Sequence, residues 1–336
     1  MQKALCLARK GMGTTSPNPM VGALIVKEDV ILGEGWHVRA GEGHAEVNAF
    51  ADAARKGNDV QGATLYVTLE PCSTKGRTPA CTDAILASKV KKVVIGCLDP
   101  NPRHAGRAVK ILEEAGIEVV SSLLEKECLL LNEGFFHWIT TGKPFVILKI
   151  AQTLDGKIAC HNGSSRWITG KEARERVMQL RLWADCVVTG GQTFRMDQPR
   201  FTVRDAEGNI LKTPRRIVVT ENVEKTSSLA PAGENWEFIS LKEPGAWEKF
   251  LLDLGKENVT GVLLECGGKL AASALAAKAV NRVEFHIAPK ILGGEKSILS
   301  IAGNSAESLD EAWELEEVTY TPYGKDLAFS GLVKYK

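Results

Sequence analysis

The chain has 336 residues, of which 44% are hydrophobic and 25% charged, and a formal net charge of +1. That is the profile of a globular protein too long for one ordinary domain, with two domains of about 150 residues as the natural expectation. A charge this small excludes a broad nucleic-acid footprint, and no apolar run of about eighteen residues offers a membrane span. Met1-Gln2-Lys3 leads straight into an amphipathic helix and does not read as a charged-then-apolar leader, so a cytoplasmic protein is expected.

In chain order the first half alternates. An amphipathic helix (Ala4, Leu5, Leu7, Ala8) ends near Gly11, Ser16-Pro17-Asn18-Pro19 makes a rigid turn, and residues 21–26 read as a buried strand that pairs with 30–36. Asn18 suits either a turn or an amide that reads a ring or ribose. A helix from Ala45 to about Lys56 follows. Residues 63–69 read as a strand, Cys81 opens another helix, 92–97 is a strand, Gly106 and Gly116 enclose a helix, and 117–120 is a last strand. This predicts α/β/α layers, helices covering both faces of a mixed sheet. Residues 121–143 form the junction, with a helix over 123–131 capped by Asn132-Glu133-Gly134. The aromatic cluster Phe135-Phe136-His137-Trp138 is expected to bury against a second domain, with His137 structural. Domains are therefore expected at 1–142 and 143–336.

Chemistry concentrates at His44, Glu46, Cys72 and Cys81. One imidazole and two thiols make three ligands for a tetrahedral zinc ion, and a missing fourth suggests an open position for water. Glu46, two residues after the histidine, is placed to move a proton, and His-x-Glu followed by Pro-Cys and a further Cys is the zinc deaminase signature. Between the cysteines, residues 73–80 carry Lys75, Arg77 and hydroxyls, a loop suited to an anionic substrate. The eight cysteines are scattered along a large chain, which fits reduced thiols and a metal site better than a disulfide framework.

The second half begins with a strand from Pro144 to Ala151 and a turn at Thr153-Leu154-Asp155-Gly156-Lys157. A polar loop (163–170) then leads to a helix over 171–183, for which Thr169 is the expected N-cap. Further strands are expected at 186–189, 216–220, 261–264 and 283–287. No Gly-x-Gly-x-x-Gly follows any of them. Two other loops, Thr189-Gly190-Gly191-Gln192-Thr193 and Cys266-Gly267-Gly268-Lys269, place glycine pairs after strands, where backbone amides can approach a phosphate. Arg181, Arg200 and Arg204 supply cations.

With these residues in view, the chain resembles the bifunctional riboflavin-biosynthesis deaminase/reductase family over nearly its whole length. The first half carries Ser16-Pro17-Asn18-Pro19-Met20-Val21-Gly22, His44-Ala45-Glu46, Glu70-Pro71-Cys72-Ser73, Gly76-Arg77-Thr78-Pro79, Cys81 and Asp99-Pro100-Asn101-Pro102. The second carries Leu154-Asp155-Gly156-Lys157, Ser165-Arg166-Trp167-Ile168-Thr169, Asp197-Gln198-Pro199 with Thr202-Val203-Arg204, Glu265-Cys266-Gly267-Gly268 and Ala288-Pro289-Lys290-Ile291-Leu292-Gly293.

The resemblance implies a cytidine-deaminase-like N-terminal domain and a dihydrofolate-reductase-like C-terminal domain, both α/β. It implies zinc on His44, Cys72 and Cys81, and Glu46 as proton shuttle. It also implies NADPH against Ala151, Trp167, Thr193, Asp197, Gly267, Gly268, Lys269, Leu270, Ala271, Ala272 and Ser273. Ser165, Arg181, Phe201, Arg204 and Glu265 would line the reductase substrate. The implied substrate is a small phosphorylated pyrimidine, with no nucleic-acid or membrane partner and a homodimer as the assembly. The chain departs from the usual pattern at Thr74-Lys75, Gln198 and Gly268-Lys269.

Two other readings are open. A zinc deaminase of a nucleoside or tRNA would explain the first half and leave the second without a reductase role. A structural zinc site in a nucleotide-sensing module would need a fourth protein ligand, for which His37 and Cys97 are candidates.

Overall fold

The structure, a computed structural model, describes residues 1–74, 79–101, 104–205, 207–304 and 306–336. The chain divides into two compact units, Met1–Gly142 and Lys143–Lys336.

The first unit contains α1 (Gln2–Ala8), β1 (Gly22–Lys27), β2 (Val30–Trp36), α2 (Ala45–Arg55), β3 (Thr64–Leu69), α3 (Cys81–Ser88) and β4 (Lys92–Cys97). It continues with α4 (Arg107–Glu114), β5 (Glu118–Val120), α5 (Glu125–Leu131) and α6 (Glu133–Thr141). Its sheet has the order β2-β1-β3-β4-β5; β1 is antiparallel to both neighbours and β3, β4 and β5 are parallel.

Side chains alternate across the strands, so one face (Ala23, Ile25, Leu65, Val67, Val93, Ile95) packs against Ala45, Ala49 and Ala53 of α2, Ile85 of α3 and Leu112 of α4. The other face meets α1 and α5 through Leu5, Ala8, Cys128 and Leu131. Glycines set the height of α2. A Cβ at Gly33 would lie 2.3 Å from the Ala49 carbonyl oxygen, and one at Gly35 2.3 Å from that of Ala45, so the helix rests directly on β2.

The second unit contains β6 (Phe145–Thr153), β7 (Lys157–Ala159), α7 (Lys171–Trp183), β8 (Cys186–Gly190), α8 (Gly191–Asp197), β9 (Val203–Arg204), β10 (Ile210–Lys212) and β11 (Arg215–Val219). After these come α9 (Val223–Ser227), β12 (Glu237–Ile239), α10 (Ala246–Lys256), β13 (Gly261–Glu265), α11 (Gly268–Ala276), β14 (Arg282–Ala288), β15 (Ile298–Leu299), β16 (Glu314–Tyr323) and β17 (Asp326–Lys334). Eight strands form one sheet in the order β12-β11-β8-β13-β6-β14-β17-β16, parallel from β12 to β14 and antiparallel beyond. Trp247, Leu251 and Leu254 of α10 and Ala271, Ala274 and Leu275 of α11 cover one face. Leu180 of α7 packs with Ile147, Val187 and Leu263 on the other.

As expected, Asn132 caps the helix that ends at Leu131; a further helix, α6, then starts at Glu133 and carries the aromatic cluster. Asn132 also bonds both backbone groups of Met20, taking its N–H at 2.8 Å and donating to its carbonyl at 2.9 Å. Two expectations need correction. Thr169 does not cap α7. The N-cap is Gly170, and its N–H donates at 2.6 Å to Asp326, from the far end of the chain. The segment after β8 is the helix α8 rather than a loop.

Candidate functional site

His44 precedes α2 in extended conformation, Glu46 lies in the first turn of that helix, Cys72 follows β3, and Cys81 opens α3. The ends of these elements bring together what the sequence holds apart. His44 Nδ1 is 3.2 Å from Cys81 Sγ and 3.4 Å from Cys72 Sγ, and the three ligand atoms lie within 4.8 Å of one another. Tetrahedral zinc with Zn–N of about 2.0 Å and Zn–S of about 2.3 Å would set nitrogen and sulfur roughly 3.5 Å apart, so the donor set fits the ion in both chemistry and spacing.

The two thiols hold their protons unequally. Hydrogen bonding from Cys81, aided by His44, pulls the Cys72 thiol down to about 4, while the same contact and burial push Cys81 up. A bound cation would displace the protons.

Among the described residues this is the one His/Cys/Asp/Glu cluster placed to hold a metal, and neither candidate fourth ligand joins it. His37 Nδ1 donates to the Gly43 carbonyl at 3.1 Å, so its Nε2 accepts from the Asn18 amide, also at 3.1 Å; both ring nitrogens are engaged. Burial lowers the His37 pKa, and the neutral ring packs edge-on against His44 with centroids 5.4 Å apart. Cys97 is fully buried and donates to the Thr68 carbonyl.

Glu46 is 3% exposed, and desolvation raises its carboxyl pKa. A buried acid with raised pKa beside a metal site is suited to moving protons. Glu70, whose role the motif did not reveal, is an anchor: its carboxylate accepts the N–H groups of Asp99, Gly106 and Ala108 at 3.1, 3.0 and 3.0 Å. Of the expected anion-gripping loop, Lys75, Gly76, Arg77 and Thr78 lie outside the described residues, as does Pro102 of the Asp99–Pro102 motif.

In the second unit a cavity of about 920 Å³ opens at the carboxyl ends of the parallel strands. Seven expected cofactor positions line it: Thr193, Asp197, Gly267, Gly268, Lys269, Leu270 and Ser273; Ser165 does too. The glycines make a cradle. A Cβ at Gly190 would touch only Leu270, at 3.7 Å, and one at Gly267 only Thr193 and Ile158, at 3.6 and 4.0 Å, so a side chain at either would stand in the cavity. With the N-terminus of α11 at Gly268, this fits a phosphate-bearing cofactor.

Four expected cofactor positions are not in that wall. Ala271 is fully buried because the helical period turns it, with Ala274 and Leu275, into the core. Ala272, its neighbour on α11, does not line the cavity either. Ala151 lies within β6 opposite His286 of β14, and Trp167 is 65% exposed under the Arg174 guanidinium at 4.6 Å.

Three of the substrate candidates, Arg181, Glu265 and Phe201, cluster away from the residues that line that wall. Arg181 binds Glu265 through two hydrogen bonds of 2.6 and 2.9 Å and sits over the Phe201 ring at 5.1 Å. Arg204 donates to Thr202 Oγ1 at 3.1 Å and to the Gly208 carbonyl at 2.8 Å.

Register adds a row the sequence reading missed. Lys149 of β6 is directly opposite both Glu265 of β13 and Glu284 of β14. Burial lowers the Lys149 pKa, against the pull of Glu265. Glu284 in turn is held by Arg176 at 3.0 and 2.9 Å and by His286 at 2.8 Å. One signal was present: a lone lysine inside the apolar run 145–151.

Two families match the chain: residues 1–97 fit the cytidine and deoxycytidylate deaminase zinc-binding region, and residues 144–329 the RibD C-terminal domain. The riboflavin biosynthesis protein RibD of Aquifex aeolicus is 41% identical over 97% of this chain and 96% of its own length. That of Actinobacillus pleuropneumoniae is 38% identical over 99% and 94%. Among solved structures, the diaminohydroxyphosphoribosylaminopyrimidine deaminase/5-amino-6-(5-phosphoribosylamino)uracil reductase of Thermotoga maritima superposes with a TM-score of 0.84. It is 34% identical, covering 99% of this chain and 97% of that one. RibD of Acinetobacter baumannii gives 0.83 at 33% identity, covering 99% and 98%. The match over 144–329 disfavours a deaminase with a non-reductase second half.

Proposed function

Because the chain belongs to the bifunctional riboflavin-biosynthesis deaminase/reductase family, we propose that unit 1–142 carries the deaminase and unit 143–336 the reductase. The protein is a zinc-dependent deaminase and an NADPH-dependent reductase. It removes the 2-amino group of 2,5-diamino-6-(5-phosphoribosylamino)pyrimidin-4-one as ammonia, then reduces the ribosyl chain of the resulting aminouracil to ribityl. The observation that carries this reading is the His44/Cys72/Cys81 cluster beside a buried Glu46, in one chain with a glycine-cradled cavity.

In the first unit His44, Cys72 and Cys81 hold zinc, which when bound makes water nucleophilic near neutral pH. Glu46 takes the proton of the attacking water and returns it to the departing nitrogen, a transfer its raised pKa favours. Asn18 and His37, locked by their mutual hydrogen bond, form a fixed polar wall beside His44.

In the second unit Thr193, Asp197 and the segment from Gly267 to Leu270, with Ser273, hold NADPH, whose nicotinamide supplies the hydride. Ser165, Arg181, Phe201, Arg204 and Glu265 hold the substrate. Arg181 is not a free phosphate clamp, because Glu265 occupies its fork; the pair orients polar groups of the sugar, and Arg204 serves as the cation for the phosphate.

We take the enzyme to be a cytoplasmic homodimer. Eight unbridged cysteines support the compartment, no helix among the described residues is long and apolar enough to cross a membrane, and the family resemblance supports the assembly.

Replacing Glu46 by Gln tests the division of labour. Ammonia release should fall by a factor of about 10² to 10⁴, while NADPH oxidation on the deaminated intermediate continues. Loss of both activities would count against independent sites.

A further inference from the structure

Lys149 brings to the reductase unit a charge that the roles above leave unused. β6, β13 and β14 run parallel, and their registers set Lys149 opposite Glu265 on one side and Glu284 on the other, with strand axes about 4.8 Å apart. Alternation along β6 turns Lys149 to the face on which Ile147 meets Leu180, which is the face α7 covers. The same helix supplies an arginine to each carboxylate.

Arg181 holds Glu265 through two bonds. On the other side Arg176 Nε and Nη2 donate to Glu284 Oε1 and Oε2 at 3.0 and 2.9 Å, and His286 Nε2 lies 2.8 Å from Oε1. The His286 ring is fully buried, and burial lowers its pKa. Its Nδ1 has no partner, and a charged ring would bury an unpaired N–H there. The imidazole is therefore neutral: Nε2 donates to Glu284, and the ring adds no charge.

The ionisable groups that face Lys149 are Glu265 from β13, Glu284 and the neutral His286 from β14, and Arg181 and Arg176 from α7. Tyr323 of β16 lies beyond, with its ring centroid 5.8 Å from that of His286. Two carboxylates thus face two guanidiniums and one ammonium, so the row carries an excess of positive charge. Loss of water works against the Lys149 ammonium most strongly, and Glu265 and Glu284 support it. Glu265 has a place in the substrate cluster. Glu284, Arg176 and His286 have none.

We propose that Glu284 and Arg176 are positioning residues of the reductase that act through Lys149: Glu284 holds the ammonium charged beside Glu265, Arg176 tempers that hold, and His286 fixes the carboxylate between them. The inference rests on the reductase reading. The two residues act with opposite signs. Removing the Glu284 charge leaves Arg176 uncompensated near Lys149 and favours the neutral amine, whereas removing Arg176 leaves an uncompensated carboxylate and favours the ammonium. Side chains that only kept the fold together would not divide in this way.

The test is kcat/KM for the deaminated intermediate, followed by NADPH oxidation with the full-length protein over a series of pH values. The wild type should lose activity on the alkaline side as Lys149 gives up its proton. Glu284→Gln should move that limb to lower pH and Arg176→Met to higher pH, each by about one unit, while Arg176→Lys keeps the wild-type position. If Glu284→Gln does not fold, the sign of the Arg176→Met shift decides. A wild type without an alkaline limb, or a limb that both variants leave in place or move the same way, would overturn the proposal while NADPH turnover continued. A wild type that oxidises no NADPH would instead overturn the reductase reading.

Discussion

Replacing Glu70 by Gln separates the scaffold of the deaminase site from its chemistry. The carboxylate is 4% exposed; Oε2 accepts the N–H groups of Asp99 and Gly106, and Oε1 that of Ala108. Glutamine keeps the shape but has one acceptor oxygen. Turned toward Asp99 and Gly106, that oxygen retains two bonds and aims the amide N–H groups at the N–H of Ala108. One buried donor left unpaired costs about 1–3 kcal/mol, and the loss of charge assistance on the two survivors about 1 kcal/mol together. For a unit of this size each kcal/mol moves the unfolding midpoint by about 2–4 °C. Scanning calorimetry of the zinc-loaded full-length protein should therefore show the first unit's transition lowered by roughly 5–15 °C, with the second unit's in place. An unmoved first transition, or equal shifts in both, would refute the reasoning.

Arg204→Ala should raise the reductase KM for the phosphorylated aminouracil by about tenfold or more with little change in kcat, measured by NADPH oxidation; an unchanged KM would remove Arg204 from the phosphate. Acid stability of the second unit should depend on Glu284. Burial alone would raise its pKa, but hydrogen bonds from His286 and Arg176 outweigh burial and hold it at about 2, against an ordinary 4.5. A depressed carboxylate contributes stability that is complete above the ordinary value and lost as pH falls toward the folded one. Glu284→Gln should thus flatten the acid limb of stability between pH 4.5 and about 2, seen by denaturant titration at a series of pH values; an unaltered limb would count against this network.

What was legible in the sequence was local. The zinc cluster shows because its residue types are chemically unusual and sit in short motifs at element ends, and the buried strands show as apolar runs. What was not legible depends on partners distant in sequence. The Lys149 row exists only once the registers of β6, β13 and β14 are known. The N-cap of α7 is Gly170, whose N–H is held by Asp326 from the far end of the chain, so Thr169 was a reasonable but wrong local choice. The hairpin of β16 and β17 was missed because β16 is an edge strand, exposed along most of its length, with no apolar alternation to betray it.

The most direct measurement is mass analysis of products after the zinc-loaded protein is given 2,5-diamino-6-(5-phosphoribosylamino)pyrimidin-4-one. Without NADPH the product should have oxygen in place of the 2-amino nitrogen, with ammonia released in equal amount; with NADPH it should gain two further hydrogens on the sugar chain. An unaltered pyrimidine, or a deaminated product that NADPH leaves unreduced, would contradict the account.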